Sequence, residues 1–494
     1  MSANILYSQD ETIFEKLYEE LSEETSNAPS LDDIEYYRNN KINLLAAKPY
    51  QLAALPGISL MDAYNIIDLI KNNENLTIAK IADSLSLAPE TELILSACTF
   101  MRNPPERSSL FSYRARNFNN LHNISGFENE KFQGDELDFY QRFLVSYNNF
   151  NAGFLTNKDA GEKQFADFYS GFAEYRSENL KIIAGDFLPS FGMGGIFWRS
   201  FGSRKGADVI SPVVLLGNGI NPYKSSIDYN YFRGVAAETE FPFGNDISLK
   251  LSAFVSKTEK SSTYDSTANQ VTSVYITGVY RTEYEIRKKN NLEENAFGGN
   301  LQFFAANLSF GLNFLYLDYS KFINSSSTGS FYGQSGIVHS YYIMYEKKKT
   351  AFSAELTFDA QNFSMFKAGM QHSINNLKLS LFYRNIDPNF RSPFGYCFGE
   401  FSNPSNETGI FSGIFWHFSK KIDFSFYADI FQTKDRTYFV PTKVNGLDLF
   451  FESNYKLSAG NLLTLRLRNE TKTDKFNSGN KSWVGDKSRS SARV

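Results

Sequence analysis

The sequence predicts an α+β multidomain protein, in which a small all-α helix-hairpin-helix domain precedes a large antiparallel, up-and-down membrane β-barrel of about 16 or more strands. Three observations predict this fold class. The hydrophobic period changes from 3.6 to 2 residues after Asn103-Pro104-Pro105. Aromatic residues are abundant, with 47 Phe and 29 Tyr among 494 residues, whereas there are only 14 Pro. Residues 1–100 hold 16 acidic and 6 basic side chains, and the remaining residues hold 38 acidic and 44 basic ones. An acidic module therefore precedes a slightly basic one.

The hydropathy of the chain restricts how it can cross a membrane. The mean hydropathy is −0.35, and no apolar run approaches the ~18 residues that a spanning helix needs. A closed barrel is the other structure that satisfies every backbone polar group in lipid, so we expect any span to be made of strands. The soluble alternatives are a large sandwich or a propeller, but the sequence shows no repeat of blade length.

The first forty residues are predicted to be a processing remnant and a linker. Residues 1–8 resemble the tail of a signal peptide with its cleavage site, and we interpret them as a remnant of one; the alternative is a cytoplasmic start. Residues 9–40 are acidic, and Ile13, Leu17 and Leu21 recur at a spacing of four. This segment is therefore predicted to be a partly helical linker.

Residues 41–103 are predicted to form a tandem helix-hairpin-helix domain. The turn Leu55-Pro56-Gly57-Ile58 separates two apolar-periodic segments, and Gly57 can adopt the left-handed conformation between two helices. The second helix has an apolar stripe at Ala63, Ile66, Ile67 and Ile70. Residues 77–102 are a degenerate second copy, whose turn lacks glycine. We expect the two hairpins to pack together, because one alone buries too little surface to be stable.

Residues 104–494 are predicted to be the barrel. Apolar and polar residues alternate in segments such as 247–255, 308–316, 377–384 and 422–430. Each segment has about the 9–11 residues that a tilted strand needs to cross a bilayer. Aromatic residues near strand ends are predicted to form an interfacial girdle, namely Tyr319, Phe322, Tyr341 and Tyr342.

Three connections differ from the short turns of the predicted barrel. Residues 186–227 and 387–406 are long, and loops of this length usually have a function or fold inward. Two readings remain open: they plug or constrict the lumen, or they are ordered surface loops. The third connection carries a capping box at Thr282 and Glu285, which predicts a short helix with a structural role.

The hairpin resembles the ComEA-type helix-hairpin-helix in the stretch INLLAAKPYQLAALPGISLMDAYNIIDLIK. The whole chain looks like a largely uncharacterised family of bacterial proteins typical of the Bacteroidetes. The matching stretches are TNKDAGE, DFYSGF, the segment 185–195, GVYRTEYEIRKKNN and NIDPNFRSPFGYCF. The resemblance implies a signal peptide, an acidic segment, paired hairpins and an outer-membrane barrel. Family barrels continue further than this chain, so we expect truncation at both ends and, if the protein stopped here, exposed sheet edges.

The resemblance also implies a nucleic-acid-binding site at Pro56, Gly57, Ile58 and Ser59. Hairpins of this kind bind a phosphate with backbone N–H groups at a helix N-terminus. DNA-binding hairpins usually have a second glycine where this chain has Ser59, and basic residues where it has Leu60-Met61-Asp62. Phosphate affinity depends on neutralisation by Lys and Arg. We therefore expect the acidic module to pack or to dock a partner, with DNA binding as the alternative.

The sequence predicts no catalytic residue, no metal site and no cofactor. The four histidines, His122, His339, His372 and His417, lie on separate predicted strands or loops. No phosphate-binding loop, dinucleotide fingerprint or metal motif is present. Cys98 and Cys397 fall in different modules and are interpreted as two unpaired thiols.

Three functional classes follow from these observations. The first is a non-enzymatic outer-membrane barrel for transport, assembly or partner docking, with its helical domain in the periplasm; its partners would be outer-membrane lipid and an unknown periplasmic protein. The alternative is DNA binding or DNA uptake through the ComEA-like hairpin. The third is a barrel enzyme. A helical domain packed on the barrel mouth would favour the first class, basic rows in the lumen the second, and a His across from a Ser the third.

Overall fold

The computed structural model describes most of the barrel and most of the helical domain. The described residues are 37, 41–45, 47, 49–53, 55, 58–73, 76–85, 87, 89–101, 110–118, 124–198, 205–215, 217–229, 231–244, 247–327, 329–347, 349–401, 404–419, 421–458, 461–478 and 481–493. The predicted signal remnant and nearly all of the acidic linker lie outside these residues, as do Pro56 and Gly57.

A small helical unit precedes the barrel. Its helices are α1 Pro49–Ala53, α2 Leu60–Asn72, α3 Ile78–Leu85 and α4 Pro89–Cys98. Two short strands, β1 Ile42–Asn43 and β2 Thr99–Phe100, pair in parallel and bring the two ends of the unit together. The unit has a core of its own, in which buried apolar side chains come from all four helices. Two consecutive helix pairs therefore fold over one core, as the hydrophobic periodicity predicts.

The rest of the chain is one large antiparallel sheet. Its strands are β3 Leu110–Phe118, β4 Asp138–Tyr147, β5 Phe150–Lys158, β6 Phe168–Arg176, β7 Leu180–Ser190, β8 Gly219–Pro222, β9 Phe232–Pro242, β10 Ile247–Lys260, β11 Ser262–Asp265, β12 Gln270–Val274, β13 Leu292–Ala305, β14 Leu308–Asn324, β15 Tyr332–Lys347, β16 Thr350–Phe358, β17 Ser364–Ile374, β18 Leu377–Ile386, β19 Glu407–Ser419, β20 Ile422–Gln432, β21 Asn445–Ser458, β22 Asn461–Ser478 and β23 Lys481–Arg493.

The sheet closes into a barrel in which β23 lies beside β3. Each long strand pairs with the long strand that follows it in the chain. Three short strands lie between long strands in the chain without interrupting this order. Strand β7 pairs directly with β9, and β10 pairs with β13 along its whole length, so β8, β11 and β12 are side branches near the ends of longer strands. In the described residues the ring therefore has 18 strands, within the range of about 16 or more that the sequence predicts.

The outer face of the barrel is apolar and the inner face is polar. Along β10, Leu251 and Val255 are exposed on the outside, whereas Ser252 and Ser256 are buried on the inside. The same alternation runs through β14, β18 and β20. Exposed large apolar side chains on many neighbouring strands cover the exterior, which is the surface of a membrane-spanning barrel.

The predicted aromatic girdle is half right. Phe322 and Tyr341 are 40% and 51% exposed, and they lie on the outer face. Tyr319 and Tyr342 are 4% exposed and face the lumen, where Tyr319 donates to Glu294 and Tyr342 accepts from Asn300. The prediction was wrong for Tyr319 and Tyr342. Successive residues of a strand point to opposite faces, so Tyr341 and Tyr342 cannot both face lipid.

The two ends of the barrel differ in their connections. Short turns join the strands at one end, for example at residues 148–149, 306–307 and 375–376. Long connections lie at the other end. Leu110, where β3 starts, pairs with Ser146, close to the turn at 148–149. The chain therefore enters the barrel at the short-turn end when it leaves the helical domain.

Three short helical turns complete the described structure: α5 Ser125–Glu128, α6 Glu283–Ile286 and a 3-10 turn at Ser211–Val213. Helix α6 has the capping box, because Thr282 Oγ1 accepts from the Glu285 amide and the Glu285 carboxylate accepts from the Thr282 amide. Among the described helices, none has the length and hydropathy needed to cross a membrane.

An arginine substitution on the outer face tests whether the apolar side of the strands faces lipid. Leu312 lies on the apolar exterior of β14, opposite the outward-facing Leu301 and Tyr341. We expect Leu312→Arg to weaken insertion into lipid vesicles by about 2–4 kcal/mol, because the guanidinium would sit in hydrocarbon. The folded fraction during urea titration in vesicles measures the change. Thr442→Arg, in an exposed connection, is the matched control and should insert like the wild type; equal behaviour of the two variants would contradict the orientation.

Candidate functional site: the barrel lumen

Two long connections fold into the lumen rather than over its rim. We call residues 191–198, 205–215 and 217 the first inserted loop, and residues 387–401 and 404–406 the second inserted loop. Three wall side chains donate to backbone carbonyls of the first loop: Lys367 to Met193 at 2.7 Å, Gln371 to Ile210 at 2.8 Å and Ser380 to Val209 at 2.6 Å. Of the two readings that the sequence left open, the inward one is therefore correct.

The first inserted loop presses directly on the wall. A side chain on Gly369 would lie 1.7 Å from the Val213 carbonyl oxygen, so glycine is required at this wall position. On the neighbouring strand, the carboxylate of Glu355 accepts from the amides of Met193 and Gly195 at 3.1 and 2.9 Å. A buried carboxylate therefore satisfies two loop amides that would otherwise lack a partner.

The second inserted loop packs on the first and extends the plug. The Tyr396 amide donates to Gly194 at 2.8 Å, and Ser392 Oγ donates to the Gly195 carbonyl at 2.9 Å. Farther along, the Trp198 amide donates to Phe394 at 3.0 Å. Since each loop supplies backbone partners to the other, they form one body, which we call the plug.

A charge network fixes the plug to one side of the wall. Lys205 of the first loop lies 2.6 Å from Glu400 of the second loop, and 2.8 and 3.5 Å from Asp429 and Asp448 of the wall. Burial by itself lowers the pKa of Lys205, but the three carboxylates around it outweigh burial and raise that pKa above its ordinary value. The lysine therefore stays charged and links both loops to the barrel.

Arg384 lies at the centre of this network. Its guanidinium donates two hydrogen bonds to Asp429, at 2.9 and 3.0 Å, and a third to Glu407. All three side chains are buried. Such a bidentate pair has the geometry that compensates best for taking both charges out of water.

The part of the lumen wall next to this network carries a row of cations, because β22 adjoins β21 in the ring. Residues paired directly across antiparallel strands point to the same face, so the inward-facing Arg468 and the buried Arg142 define the inner faces of β22, β23, β3 and β4. Among the side chains that the structure describes, nine basic ones lie on these faces, against the three acidic ones Asp138, Glu470 and Asp474; we call the nine the basic strip. They are Arg114, Arg116, Arg142, Arg466, Arg468, Lys472, Lys487, Arg489 and Arg493.

Of the predicted nucleic-acid-binding residues, Ile58 and Ser59 are described, whereas Pro56 and Gly57 lie outside the described residues. Ile58 and Ser59 are each 2% exposed. Ser59 is the N-cap of α2, where its hydroxyl accepts from the Asp62 amide at 3.0 Å and donates to the Asp62 carboxylate at 2.7 Å. The carboxylate of the chain itself therefore lies at the helix N-terminus, where a phosphate would have to bind.

The described histidines do not face a serine across a strand pair. The residues opposite His339 are Phe314 and Phe358, those opposite His372 are Thr350 and Leu379, and Asp423 is opposite His417. The described part of the chain also holds no group of three His, Cys, Asp or Glu side chains placed to bind a metal ion. The geometry that a barrel hydrolase needs is therefore missing at these three positions.

The chain is similar to several solved structures, among them an outer membrane protein and a porin. OprD from Pseudomonas aeruginosa is 11% identical at a TM-score of 0.34, with 78% of this chain and 94% of that chain covered. OpdQ, also from Pseudomonas aeruginosa, is 11% identical at a TM-score of 0.35, with 77% and 95% covered. A BenF-like porin from Pseudomonas fluorescens Pf-5 is 11% identical at a TM-score of 0.33, with 78% and 96% covered. No protein-family model and no curated protein matches the chain. A likeness with these identities and TM-scores assigns no function to the chain.

The charge network gives a stability prediction. We expect Arg384→Met to destabilise the barrel by about 3–5 kcal/mol, because it leaves buried carboxylates without their main partner. Arg468→Met is the comparison. Arg468 pairs with the wall carboxylate of Asp448, but its side chain is 39% exposed. Water can replace part of that ion pair, so the loss of stability in this variant should be much smaller. Thermal unfolding in detergent micelles measures both, and equal losses would contradict the central place of Arg384.

A carboxylate at the long-connection end gives a pH prediction. Glu162 is buried and accepts from the amides of Asp159 and Tyr280 at 2.9 and 2.8 Å. Burial raises the pKa of Glu162 from 4.5 to about 7. Because the folded pKa of this acid lies above the unfolded one, its stabilising contribution is fully present below pH ~4.5 and is lost as the pH rises through about 7.

Hydrogen exchange of the Tyr280 segment, corrected for the intrinsic rate, measures this contact. We expect its protection to fall between about pH 5 and pH 8 in the wild type. Glu162→Gln cannot ionise, so its protection should stay constant over the same range. A wild-type profile as flat as that of the variant would overturn the assignment.

Proposed function

We propose that this protein is a non-enzymatic outer-membrane channel for small anionic solutes. The basic strip is the observation that carries the proposal. The plug is anchored on the inner faces of β16–β18, β20 and β21. Lys487, Arg489 and Arg493 of the strip remain exposed. Lys472 of the strip pairs with Glu400 of the plug, so the proposed path runs along the three exposed residues, whose positive charge would concentrate anions and lower the cost of their passage.

The strip breaks a rule of sheet stability. Three of its pairs place like charges directly opposite each other on neighbouring strands: Lys472 and Lys487, Arg466 and Arg493, and Arg114 and Arg142. Like charges in this arrangement destabilise a sheet. Acidic partners of Arg466, Lys472 and Lys487 offset part of this repulsion. Violations of this kind are expected at functional sites, and a passing anion would offset more of it.

The outer membrane is the location that this architecture favours. Barrels of this size with an apolar exterior belong to outer membranes, where short turns face the periplasm and long connections face outward. The helical domain joins the barrel at the short-turn end, so it would lie in the periplasm. Outer-membrane lipid is then the partner of the exterior, and a periplasmic protein remains the proposed partner of the domain.

One observation favours DNA handling, the alternative function predicted from the sequence, and one observation opposes it. The basic strip is the kind of basic row in the lumen that would favour it. At the hairpin, however, Ser59 and Asp62 occupy the N-terminus of α2, and a phosphate would meet a carboxylate there instead of a cation. Small anions need only the strip, whereas the DNA alternative was based on the hairpin.

Ion selectivity of the reconstituted channel tests the proposal. We expect the triple variant Lys487→Gln, Arg489→Gln, Arg493→Gln to lower the anion-to-cation permeability ratio by roughly tenfold, equivalent to about 1.4 kcal/mol. The measurement is the reversal potential in a potassium chloride gradient across a planar bilayer. The control removes three exposed cations outside the lumen wall, through Lys421→Gln, Arg436→Gln and Lys443→Gln.

Each outcome of this experiment has a meaning. An unchanged ratio in the strip variant, or an equal drop in the control, would refute the anion path. Block of the current by a single-stranded oligonucleotide, lost in the strip variant, would instead bring the DNA-handling alternative forward.

A further inference from the structure

Helix α2 lies inside the short-turn mouth of the barrel. It contacts β15, β16 and β17 near the turns that join these strands. Its partners there are the inward-facing residues closest to the mouth, Glu346 on β15 and Lys378 on β18. The domain is thus inserted into the opening and does not rest on the rim.

Two polar contacts hold the helix in this position. The carboxylate of Asp62 accepts from Lys378 at 2.7 Å, and both side chains are shielded, with 8% and 13% of their surface exposed. Tyr64, two residues further along α2, lies beside the carboxylate of Glu346 on β15. We call these two contacts the latch. The Ser59 hydroxyl orients Asp62 by donating to the second oxygen of the same carboxylate, at 2.7 Å.

The domain reaches the plug as well as the wall. Ala53 and Tyr64 pack on the apolar cluster that contains Met193, Val209 and Val213 of the first inserted loop. The Asn218 amide, just beyond that loop, donates to Tyr37 at 3.2 Å. Barrel wall, plug and helical domain therefore meet at one place in the lumen, at the periplasmic end of the proposed path.

The character of the contact differs from that of the domain interior. The domain has its own apolar core, to which all four helices contribute, so it does not need the barrel in order to fold. Among the described residues, its contact with the wall and the plug is formed by the Asp62–Lys378 ion pair, the Tyr64–Glu346 contact, the Asn218–Tyr37 hydrogen bond and a few half-buried apolar side chains. Such a polar, limited contact is typical of domains that move relative to each other.

We propose that the helical domain is a displaceable closure of the short-turn mouth, held by the latch, so that solute passes only when the latch opens. This inference rests on the proposed channel function and names its regulation. Opening exchanges the Asp62–Lys378 and Tyr64–Glu346 contacts for water, while the core of the domain stays intact. A periplasmic partner that binds the released domain would shift the equilibrium toward the open state by mass action.

The experiment compares single-channel recordings of the full-length chain in planar bilayers. We expect Lys378→Met and Tyr64→Phe each to raise the ratio of open to closed time by roughly tenfold, or about 1.4 kcal/mol. Lys421→Met is the matched control, because Lys421 is an exposed lysine in a short turn at the same end. It should record like the wild type.

Two further variants keep the test decisive if one substitution perturbs folding. The charge exchange Asp62→Lys with Lys378→Asp re-forms the pair and should restore wild-type closure. The pair Asp62→Cys with Lys378→Cys, joined by a short thiol-reactive cross-linker, should hold the channel shut until the link is cleaved. The native Cys98 and Cys397 are buried, and the wild type treated with the same reagent is the control.

The outcomes separate this proposal from the proposed function. Latch variants should change open time and leave the anion-to-cation ratio unchanged, whereas strip variants should do the reverse. If the cross-linked channel conducts as freely as the wild type, or if Lys378→Met records like Lys421→Met, the closure is refuted while the channel stands. If no variant conducts under any condition, the channel function itself is refuted.

Discussion

The closed sheet imposes one constraint on everything else in this protein, which is that every strand must separate lipid from lumen. Side chains alternate between the two faces with a period of two, so each strand supplies an apolar outer row and a polar inner row. The inner row then holds charged groups away from bulk water. Arg384, Glu355 and Lys367 are all buried in this way. Arg384 finds its partners Asp429 and Glu407 on neighbouring strands of the wall, whereas Glu355 and Lys367 need partners for further hydrogen bonds.

The plug answers that requirement. Glu355 accepts from two plug amides, Lys367 donates to two plug carbonyls, and Lys205 reaches from the plug to Asp429 and Asp448. The inserted loops thus complete the hydrogen bonding of the wall, and the wall in turn satisfies loop backbone that has no sheet or helix of its own. The loops also pack on apolar residues of β6, β7, β9, β10, β13 and β14, so the exposed cations of the basic strip lie on the part of the wall that the plug covers least.

The same reasoning connects the helical domain to the barrel. Lys378 is the inward-facing residue of β18 nearest the mouth, and Asp62 is its partner on α2. A residue that reads as an acidic replacement in a phosphate-binding hairpin is, in the folded chain, the acceptor of an ion pair with the barrel. The departure of this segment from the DNA-binding pattern therefore has a structural explanation within the chain itself.

Local features were predictable from the sequence, because they depend on near neighbours in the chain. Period-two alternation predicted the strands and their outer rows, the 3.6-residue period predicted the paired helices, and Thr282 with Glu285 predicted a cap, since each pattern is set within a few residues. The girdle prediction failed at Tyr319 and Tyr342, because a cluster of aromatic residues does not by itself show which of them face lipid and which face the lumen.

Tertiary structure alone decided the rest. Whether residues 186–227 enter the lumen depends on Glu355, Lys367 and Gln371, which lie more than a hundred residues away in the chain. The basic strip joins β22 and β23 to β3 and β4 across the closure of the ring, so its residues come from opposite ends of the sequence. The sequence determined which side chains each strand offers to the lumen, and barrel closure determined which of them meet, because register and closure arise from pairing between strands distant in the chain.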